Sequence, residues 1–513
     1  MGKTSLEKKK DILFPSILCF CVCALIFSVC PFSPFYRYCF EPDEICYMVM
    51  SRGFLAGKIP YRDLFDHKGP LTYFIYGLGL LISGKSTWGI WVIFTLVDVS
   101  AFFILYKTIR FFYDPDRSFI SLQIMLCILF AHKESVFSSG TKPEHVIFLL
   151  LVISEYLFVK RLKEKKDPEK LFSCTDLLIQ GLLCGAVFTL KLNFCIFYLC
   201  FVGMFFIYQL YKKRFLLFLK SAGAFLTGIF LVVLPLFGFY YAKGALDDLI
   251  DVYFRFNSRY AKAGGYNLLY FRRWISFEVK IAFTIMCLFA VFAFVMKLQK
   301  TKKGDASRKQ LWIYFALSIA IYAFMTLPLF YAYALTAFIP ICIWGTCLIA
   351  DFLIERASVK KVHVIVSVVF IFIIGNFLLQ QLVFTPPVPK EKTNMETKIE
   401  AYMKIRPDAT YMYFADPCGL FFYDMSSGIP DFKYFYAPNG DKQFVIQEQA
   451  KSIQDGVPDS IAFFRIDSMD DEYMDSLNSS FSKYGYTLYV ADTSGYGFHV
   501  YIRTEDYQKL TES

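Results

Sequence analysis

Two groups of ionisable residues stand close together in the first long polar stretch of the sequence. Asp43 and Glu44 are adjacent, and Asp66, His67 and Lys68 follow in the same stretch. A carboxylate beside an acceptor hydroxyl can remove its proton during group transfer. A cation beside a phosphate leaving group stabilises the negative charge that develops in the transition state. Together these residue types favour transfer of a group from a lipid-linked phosphate to a hydroxyl acceptor at the membrane surface.

Four more ionisable residues are predicted at the same face of the membrane. Glu144 opens a predicted span, Lys191 occupies a very short turn, and Arg255 and Arg259 lie in the loop 242–274. Ionisable residues at membrane depth warrant a functional hypothesis. Each also has a structural alternative, because a lysine near the end of a span can reach the interface with its long side chain. For the two arginines, the alternative is a solvated basic face.

The acidic residues leave two alternatives open. Carboxylates in the first turn of a helix cap it and interact favourably with its dipole, which gives Asp43 and Glu44 a purely structural explanation. Asp43, Glu44 and Glu144 would also suit a divalent cation, which prefers oxygen ligands. Lys191 and Arg255 would instead neutralise a phosphate without a metal. A divalent cation therefore stays an alternative cofactor, and we do not expect it to be obligatory.

Apolar runs of membrane-spanning length make up much of the chain. Hydrophobic residues account for 56% of the sequence and the mean hydropathy is +0.45, so the fold class is a polytopic α-helical membrane protein. We predict about eleven transmembrane helices. They lie near residues 12–32, 87–109, 118–136, 144–160, 175–190, 194–211, 216–241, 276–297, 311–328, 333–353 and 362–382.

Basic clusters between these spans all fall on one side of the membrane. They account for the net charge of +10, so the charge does not indicate nucleic-acid binding. By the positive-inside rule, the N-terminus is cytoplasmic and the C-terminus external in a multi-pass plasma-membrane protein. The loops 33–86 and 242–274, and the residues after about 385, are then external.

Two amphipathic segments within the first loop are expected to hold its ionisable residues. Residues 43–57 predict a helix that ends at Gly57, since glycine commonly stops a helix. Residues 70–83 predict a second segment, too short to be a comfortable span, that returns to the membrane surface. Asp66, His67 and Lys68 would then lie at the boundary between water and lipid.

Residues 386–513 predict a small external α/β domain. The stretches YMYFA, KYFYA, SIAFFRI, YTLYVA and GFHVYIR are rich in aromatic and β-branched residues, which is typical of strands. Helices are predicted from Phe444 to Ile453 and from Asp470 to Tyr484, with a hairpin turn at DTSGYG. We find neither a glycine-rich phosphate loop nor a convincing nucleophile–base set there, so the chemistry is expected elsewhere.

The motif GKIPYRDLFDHKGP, with the Asp43–Glu44 pair ahead of it, resembles the first external loop of GT-C glycosyltransferases. This superfamily includes the protein O-mannosyltransferase and aminoarabinose-transferase group of bacterial and eukaryotic membranes. The resemblance implies a GT-C-type transmembrane catalytic domain over residues 1–385, with the loops 33–86 and 242–274 forming its site. It also implies a separate external domain over residues 386–513.

The resemblance carries roles to particular positions. Asp43 would be the catalytic base, or the residue that orients the acceptor, and Glu44 its close partner. Asp66 and Glu144 would be the acidic residues of the cavity that receives the acceptor. The residues implied to bind the donor phosphate are His67, Lys68, Lys191, Arg255 and Arg259.

Enzymes of this superfamily use a polyprenyl- or dolichyl-phosphate sugar and invert the anomeric carbon, so no separate nucleophile is needed. The implied partners are therefore a polyprenyl-phosphate sugar, the bilayer, and an external glycan, lipid or protein acceptor. Many relatives carry a His-Tyr pair before a late Ile-Pro, whereas this chain has Ala332 there, so Tyr331 and Tyr333 receive no role.

Three other functions compete with the transferase as explanations of this sequence. A polysaccharide polymerase or ligase would use a lipid-diphosphate donor and typically has its large external loop late in the chain, whereas the long loop here comes first. A transporter would be expected to have related halves or broken mid-membrane helices. A receptor without catalysis would leave the carboxylates of the first loop unexplained.

Overall fold

The structure is a computed structural model that describes most of the chain. The described residues are 5–30, 32–36, 42–84, 86–131, 140–164, 171–263, 285–286, 288–292, 309–310, 313, 316–322, 336, 338–384, 394–415, 423, 428–437, 442–464, 471–491 and 498–512. The spans predicted at 276–297 and 311–328 lie largely outside these residues. So do Tyr331, Ala332 and Tyr333, and the turn predicted at DTSGYG.

Helices dominate the described chain. They are α1 (Ser5–Val29), α2 (Pro42–Leu55), α3 (Pro70–Ser83), α4 (Trp88–Ile109), α5 (Pro115–Phe130), α6 (Pro143–Glu164), α7 (Cys174–Leu190), α8 (Ile196–Tyr211), α9 (Phe215–Ala242), α10 (Leu246–Leu249), α11 (Asn257–Ala263), α12 (Ile339–Ile354), α13 (Val359–Phe384), α14 (Asn394–Ile405), α15 (Lys442–Gln454), α16 (Asp471–Lys483) and α17 (Thr504–Glu512). A 3-10 turn at Leu192–Cys195 precedes α8, and a π-helix at Ile250–Phe256 precedes α11.

The predicted polytopic helical fold is confirmed. Within the described residues, five helical segments are long and apolar enough to cross a membrane. They are Ile12–Val29, Trp88–Ile109, Leu192–Tyr211, Phe215–Ala242 and Val359–Val383. Shorter apolar helices α3, α7 and α12 accompany them, and the chain is a multi-pass membrane protein.

The chain forms two compact units, each built from three separate stretches. The first, called here the transmembrane unit, comprises Met1–Cys30, Trp91–Gly238 and Tyr266–Thr385. The second, called the loop unit, comprises Pro31–Ile90, Phe239–Gly265 and Pro386–Ser513. The first long loop and the loop after α9 thus share a unit with the C-terminal segment. The domain boundary near residue 385 that the sequence suggested stays a prediction.

Local sequence signals explain where the helices of the transmembrane unit begin. Asp114 caps α5 by accepting a hydrogen bond from the backbone N–H of Arg117 at 2.9 Å, and Pro115 suits the first helical position because it has no N–H to satisfy. At α7, Ser173 and Asp176 form a reciprocal capping box. Both signals fix helix starts within short connections.

Close packing in the transmembrane unit depends on glycine. A Cβ atom added to Gly228 of α9 would lie 2.2 Å from the carbonyl oxygen of Leu178 in α7, and one added to Gly181 would lie 2.0 Å from that of Phe225. Small residues let membrane helices approach backbone to backbone. These two glycines therefore set the approach of α7 and α9.

The helices predicted within the first loop are confirmed. The stretch predicted at 43–57 forms α2, which ends at Leu55 ahead of Gly57, and Gly57 has a φ of +93° that favours glycine. The stretch 70–83 forms α3, with Pro70 at its first position. Ser51 of α2 donates a hydrogen bond to the carbonyl oxygen of Tyr73 in α3 at 2.9 Å, and joins the two helices.

A four-stranded sheet in the loop unit confirms the predicted α/β character of the C-terminal segment. Its strands are β1 (Tyr411–Tyr413), β2 (Ser460–Phe464), β3 (Tyr486–Ala491) and β4 (Phe498–Arg503), in the order β1-β2-β4-β3. β1 pairs parallel to β2, whereas β4 pairs antiparallel to both β2 and β3. The helices predicted at 444–453 and 470–484 are α15 and α16.

One predicted strand is wrong. The stretch KYFYA, Lys433–Ala437, is irregular in the structure. Its backbone bonds go to different parts of the loop unit: the carbonyl oxygen of Lys433 accepts from the N–H of Phe65, and that of Phe435 accepts from the N–H of Tyr413. Because these partners belong to separate segments, the stretch forms no continuous ladder despite its β-favouring composition.

Candidate active site

The start of α2 gives its two carboxylates different environments. Pro42 opens the helix, so Asp43 and Glu44 fall in its first turn, where acidic residues interact favourably with the helix dipole. The Asp43 side chain is 38% exposed, whereas Glu44 is fully buried. Only Asp43 of this pair is therefore open to solvent, and Glu44 is packed within the fold.

Asp66 is a buried carboxylate that accepts hydrogen bonds from three donors. Its Oδ1 accepts from the backbone N–H of His67 at 2.7 Å and from the hydroxyl of Tyr436 at 3.0 Å. Its Oδ2 accepts from the hydroxyl of Tyr73 at 3.0 Å. Burial raises the pKa of Asp66, opposed by the charge of Lys68 and by the hydrogen bonds from Tyr73 and the His67 backbone.

Lys68 lies beside the exposed carboxylate of Asp43 and the ring of His67. Its Nζ is 3.9 Å from Asp43 Oδ1 and 3.4 Å from Nε2 of His67. The hydroxyl of Tyr61 donates to the Lys68 carbonyl oxygen at 2.6 Å, which fixes the backbone at this position. The structure therefore brings together four residues that the sequence singled out: Asp43, Asp66, His67 and Lys68.

Residues of the loop after α9 contact His67. Asn257 donates from its side-chain amide to the carbonyl oxygen of His67 at 2.7 Å. The rings of Phe256 and Tyr260 lie 5.6 Å and 5.4 Å from the His67 ring. A π-helix ends at Phe256, and such turns are frequent at functional sites.

The two arginines of that loop face solvent. Arg255 forms an ion pair with Asp251 at 2.5 Å, and both side chains are exposed. Arg259 is exposed as well. This arrangement fits the solvated basic face, and their contact with a donor phosphate stays a prediction.

A C-terminal segment for which we predicted no catalytic role crosses this part of the loop unit. Residues 428–437, called here the crossing segment, contact the first loop and α10. The contacts are Lys58 Nζ–Asp431 Oδ1 at 2.7 Å, Phe65 N–Lys433 O at 2.9 Å, Lys433 Nζ–Asp248 Oδ1 at 3.0 Å and Tyr436 Oη–Asp66 Oδ1 at 3.0 Å. The aromatic run in KYFYA was the available signal, and it was interpreted as a strand.

The transmembrane unit holds the other two predicted residues as a pair. Lys191 Nζ lies 2.5 Å from Oε1 of Glu144, which is buried at the start of α6. Lys191 also lies 5.9 Å from the ring centroid of Phe194. The structure therefore brings Glu144 and Lys191 together, and their contact with substrate stays a prediction.

Two carboxylates within the spans of this unit were missed by sequence reasoning. Asp98 of α4 lies 2.8 Å from Nδ1 of His145 in α6, and both side chains are buried. Glu155 of α6 accepts a hydrogen bond from Nε1 of Trp344 at 2.7 Å. A carboxylate inside an apolar run was the signal for both, because a charge at that depth needs a partner.

A metal centre is not evident in the described part of the chain. No group of three or more His, Cys, Asp and Glu side chains is placed there to hold an ion. Asp43 and Glu44 belong to the loop unit and Glu144 to the transmembrane unit. A divalent cation stays an untested alternative.

Comparison with solved structures decides the fold. ArnT from Cupriavidus metallidurans in the apo state matches with a TM-score of 0.58 and 12% identity, over 96% of this chain and 98% of that chain. ArnT bound to undecaprenyl phosphate matches with a TM-score of 0.55 and 12% identity, over 94% and 97%. The chain has the GT-C fold of membrane glycosyltransferases.

Two further comparisons bear on this fold. The archaeal oligosaccharyltransferase AglB from Archaeoglobus fulgidus, in complex with an inhibitory peptide and a dolichol-phosphate, matches with a TM-score of 0.52 and 12% identity, over 90% of this chain and 70% of that chain. The family model for dolichyl-phosphate-mannose-protein mannosyltransferase matches residues 67–239. No curated protein matches at a significant level of sequence similarity.

The match to ArnT covers nearly the whole of both chains. The GT-C likeness therefore includes the C-terminal segment as well as the transmembrane helices. The family model begins at His67, next to Asp66 in the turn that Tyr73 and Asn257 hold.

Proposed function

We propose that this protein is an inverting glycosyltransferase that moves a sugar from a polyprenyl-phosphate carrier to an acceptor hydroxyl. The observation that carries the proposal is the Asp43–Lys68 pair, a partly exposed carboxylate 3.9 Å from a lysine amine in a chain of GT-C fold. Support for the donor class comes from similar proteins: one ArnT structure holds undecaprenyl phosphate and the AglB structure a dolichol-phosphate.

Asp43 is the proposed base. Its carboxylate takes the proton of the acceptor hydroxyl, whose oxygen bonds to the anomeric carbon while the bond from that carbon to the phosphate oxygen breaks. Polyprenyl phosphate leaves, and one in-line displacement inverts the anomeric carbon. Glu44 and Asp66 are buried, so their proposed contribution is to hold Asp43 and the His67–Lys68 turn in place.

Lys68 and His67 are the proposed partners of the leaving phosphate. A fixed cation stabilises the charge that grows on the phosphate oxygen. Lys68 is only 13% exposed, so solvent screens its charge less than it would on the surface. In the transmembrane unit we propose an anion-binding role for Lys191, whose amine Glu144 holds.

The proposal also includes the orientation of the chain in the membrane. The basic clusters support a cytoplasmic N-terminus and an external C-terminal segment in the plasma membrane. Transfer would then occur at the external face, onto a cell-envelope glycopolymer, a lipid or a protein. The proposed reaction needs no metal step, because the lysines supply the positive charge.

Turnover by Asp43→Asn tests this function. Purified protein is incubated with a panel of radiolabelled polyprenyl-phosphate sugars and an envelope extract, and release of free polyprenyl phosphate is measured. We expect turnover by the parent and a loss of at least about a hundredfold in Asp43→Asn, because the amide cannot take the proton. The matched control is Asp431→Asn, which removes a carboxylate of the same unit whose side chain is 78% exposed.

Each result of this assay has a definite meaning. Full turnover by Asp43→Asn removes Asp43 from the mechanism. No turnover by the folded parent with any donor of the panel overturns the polyprenyl-monophosphate proposal. Release from a lipid-diphosphate oligosaccharide would then favour the polymerase or ligase.

A further inference from the structure

The crossing segment places a polar group at a buried carboxylate of the loop-unit site. The hydroxyl of Tyr436 contacts Asp66, a residue 370 positions earlier in the chain, at 3.0 Å. Tyr436 is 7% exposed and Asp66 is 1% exposed, so solvent has little access to this bond. From the sequence we expected the chemistry to lie outside the C-terminal segment.

We propose that Tyr436 is a positioning residue, whose hydroxyl holds Asp66 ionised and oriented so that the His67–Lys68 turn stays beside Asp43. The C-terminal segment then completes the catalytic unit. The catalytic half of this inference rests on the proposed function, whereas the hydrogen bond and its effect on stability do not.

The geometry shows why the hydroxyl matters. Asp66 Oδ1 accepts two hydrogen bonds, from the His67 backbone and from Tyr436, and Oδ2 accepts one from Tyr73. A buried carboxylate that loses a donor is left under-solvated, which disfavours its charged form. Since the same carboxylate accepts from the N–H of His67, a change at Asp66 is transmitted directly to the backbone that carries Lys68.

The surroundings of Asp66 determine the direction of the pH effect. Burial raises the pKa of Asp66, Lys68 lowers it, Asp43 raises it, and hydrogen bonds from Tyr73 and the His67 backbone lower it. Burial, and then the nearby charge of Asp66, raise the pKa of Tyr436, so its hydroxyl stays protonated and available as a donor. The other titratable groups facing this site are His67, Cys46 and Tyr61.

Tyr436→Phe tests the catalytic half, because it keeps the ring and removes only the hydroxyl. We expect a roughly tenfold lower kcat at neutral pH, the loss typical of one hydrogen bond to a charged group. The acidic limb of the pH–kcat profile should also move to higher pH, since Asp66 becomes harder to ionise. Tyr434→Phe, two residues away in the crossing segment, is the matched control and should leave kcat and the profile unchanged.

Thermal unfolding measured against pH tests the hydrogen bond without any turnover. A carboxyl whose pKa is raised in the folded state stabilises the fold below its unfolded pKa, and this contribution is lost as the pH rises through the folded pKa. Tyr436→Phe raises that folded pKa further. The Tm deficit of Tyr436→Phe relative to the parent should therefore grow as the pH rises through the acidic range.

Measuring Tyr436→Phe in an Asp66→Asn background distinguishes loss of the Tyr436–Asp66 hydrogen bond from a change in side-chain packing around residue 436. The asparagine does not ionise, so adding Tyr436→Phe to it should cause no pH-dependent deficit. A deficit that is flat with pH, or that persists unchanged in Asp66→Asn, overturns the proposal. If the parent shows no turnover with any donor, the proposed function fails, while the unfolding data still decide the Tyr436–Asp66 bond.

Discussion

Lys68 is a largely buried cation whose charge acts on two carboxylates of the loop unit. It is 3.9 Å from Asp43, and its charge opposes the burial that raises the pKa of Asp66. We expect Lys68→Gln to lower kcat by roughly a hundredfold, because the leaving phosphate loses a fixed cation. The acidic limb of the pH profile should move to higher pH, because Asp66 loses the cation that favours its charged form. Release of polyprenyl phosphate, followed across pH, measures both effects.

Lys58→Gln provides the control for this change. Lys58 belongs to the same loop, but it pairs with the exposed Asp431, and exposed ion pairs contribute little to stability. The variant should keep parental kcat and pH dependence. Equal losses in the two lysine variants would mean that net loop charge matters and the position of Lys68 does not.

Part of this site could be predicted residue by residue. Asp43 and Lys68 lie in one loop and were both predicted to belong to the site, whereas their 3.9 Å contact is seen only in the structure. The environment of Asp66 could not be predicted, because a distant residue, Tyr436, supplies one of its donors. Asp43 and Glu44 also differ in solvent exposure, and two adjacent acidic residues in a sequence do not show which of them is buried.

At the scale of elements, the approach of α7 and α9 depends on which face of α9 a glycine occupies. Gly228 lies against the α7 backbone, whereas a Cβ added to Gly223 of the same helix would meet nothing within 4 Å. Both glycines lie in one apolar run, and the sequence does not show which of them packs against another helix. Their contrast provides a matched pair of substitutions.

We expect Gly228→Ala and Gly223→Ala to have opposite effects on stability. The methyl group at residue 228 would overlap the Leu178 carbonyl oxygen, and overpacking of this kind costs about 1–3 kcal/mol. At residue 223 the alanine meets open space and gains about 0.5–1 kcal/mol of helix propensity. Thermal unfolding of the purified variants in detergent measures both. Equal Tm values would contradict close packing of α7 and α9.

Element boundaries were predictable where local signals dominate. Gly57 follows α2, Pro70 opens α3, and the Ser173–Asp176 box opens α7. The KYFYA stretch failed as a strand because its composition suits a strand while its partners are scattered. A strand needs a continuous neighbour, and composition does not reveal whether one is present.

At the scale of the whole molecule, local patterns predict individual segments, whereas the grouping of segments depends on contacts between residues far apart in the chain. Hydropathy identifies the apolar helices because each membrane span needs its own continuous run of apolar residues. The loop unit instead joins Pro31–Ile90, Phe239–Gly265 and Pro386–Ser513. These three stretches are held together by contacts such as Phe65 N–Lys433 O and Lys433–Asp248. No local sequence pattern predicts such contacts.

The orientation of the whole chain can be tested with two thiols. Cys174 is exposed at the start of α7, where the basic clusters predict the cytoplasmic side, and Ser480 is exposed on α16 of the C-terminal segment. In Ser480→Cys, a membrane-impermeant maleimide added to intact cells should modify residue 480 and leave Cys174 unmodified, as read by peptide mass spectrometry. Permeabilised cells should show both thiols modified, which controls for reactivity. Modification of Cys174 alone in intact cells would invert the topology and move the proposed transfer to the cytoplasmic face.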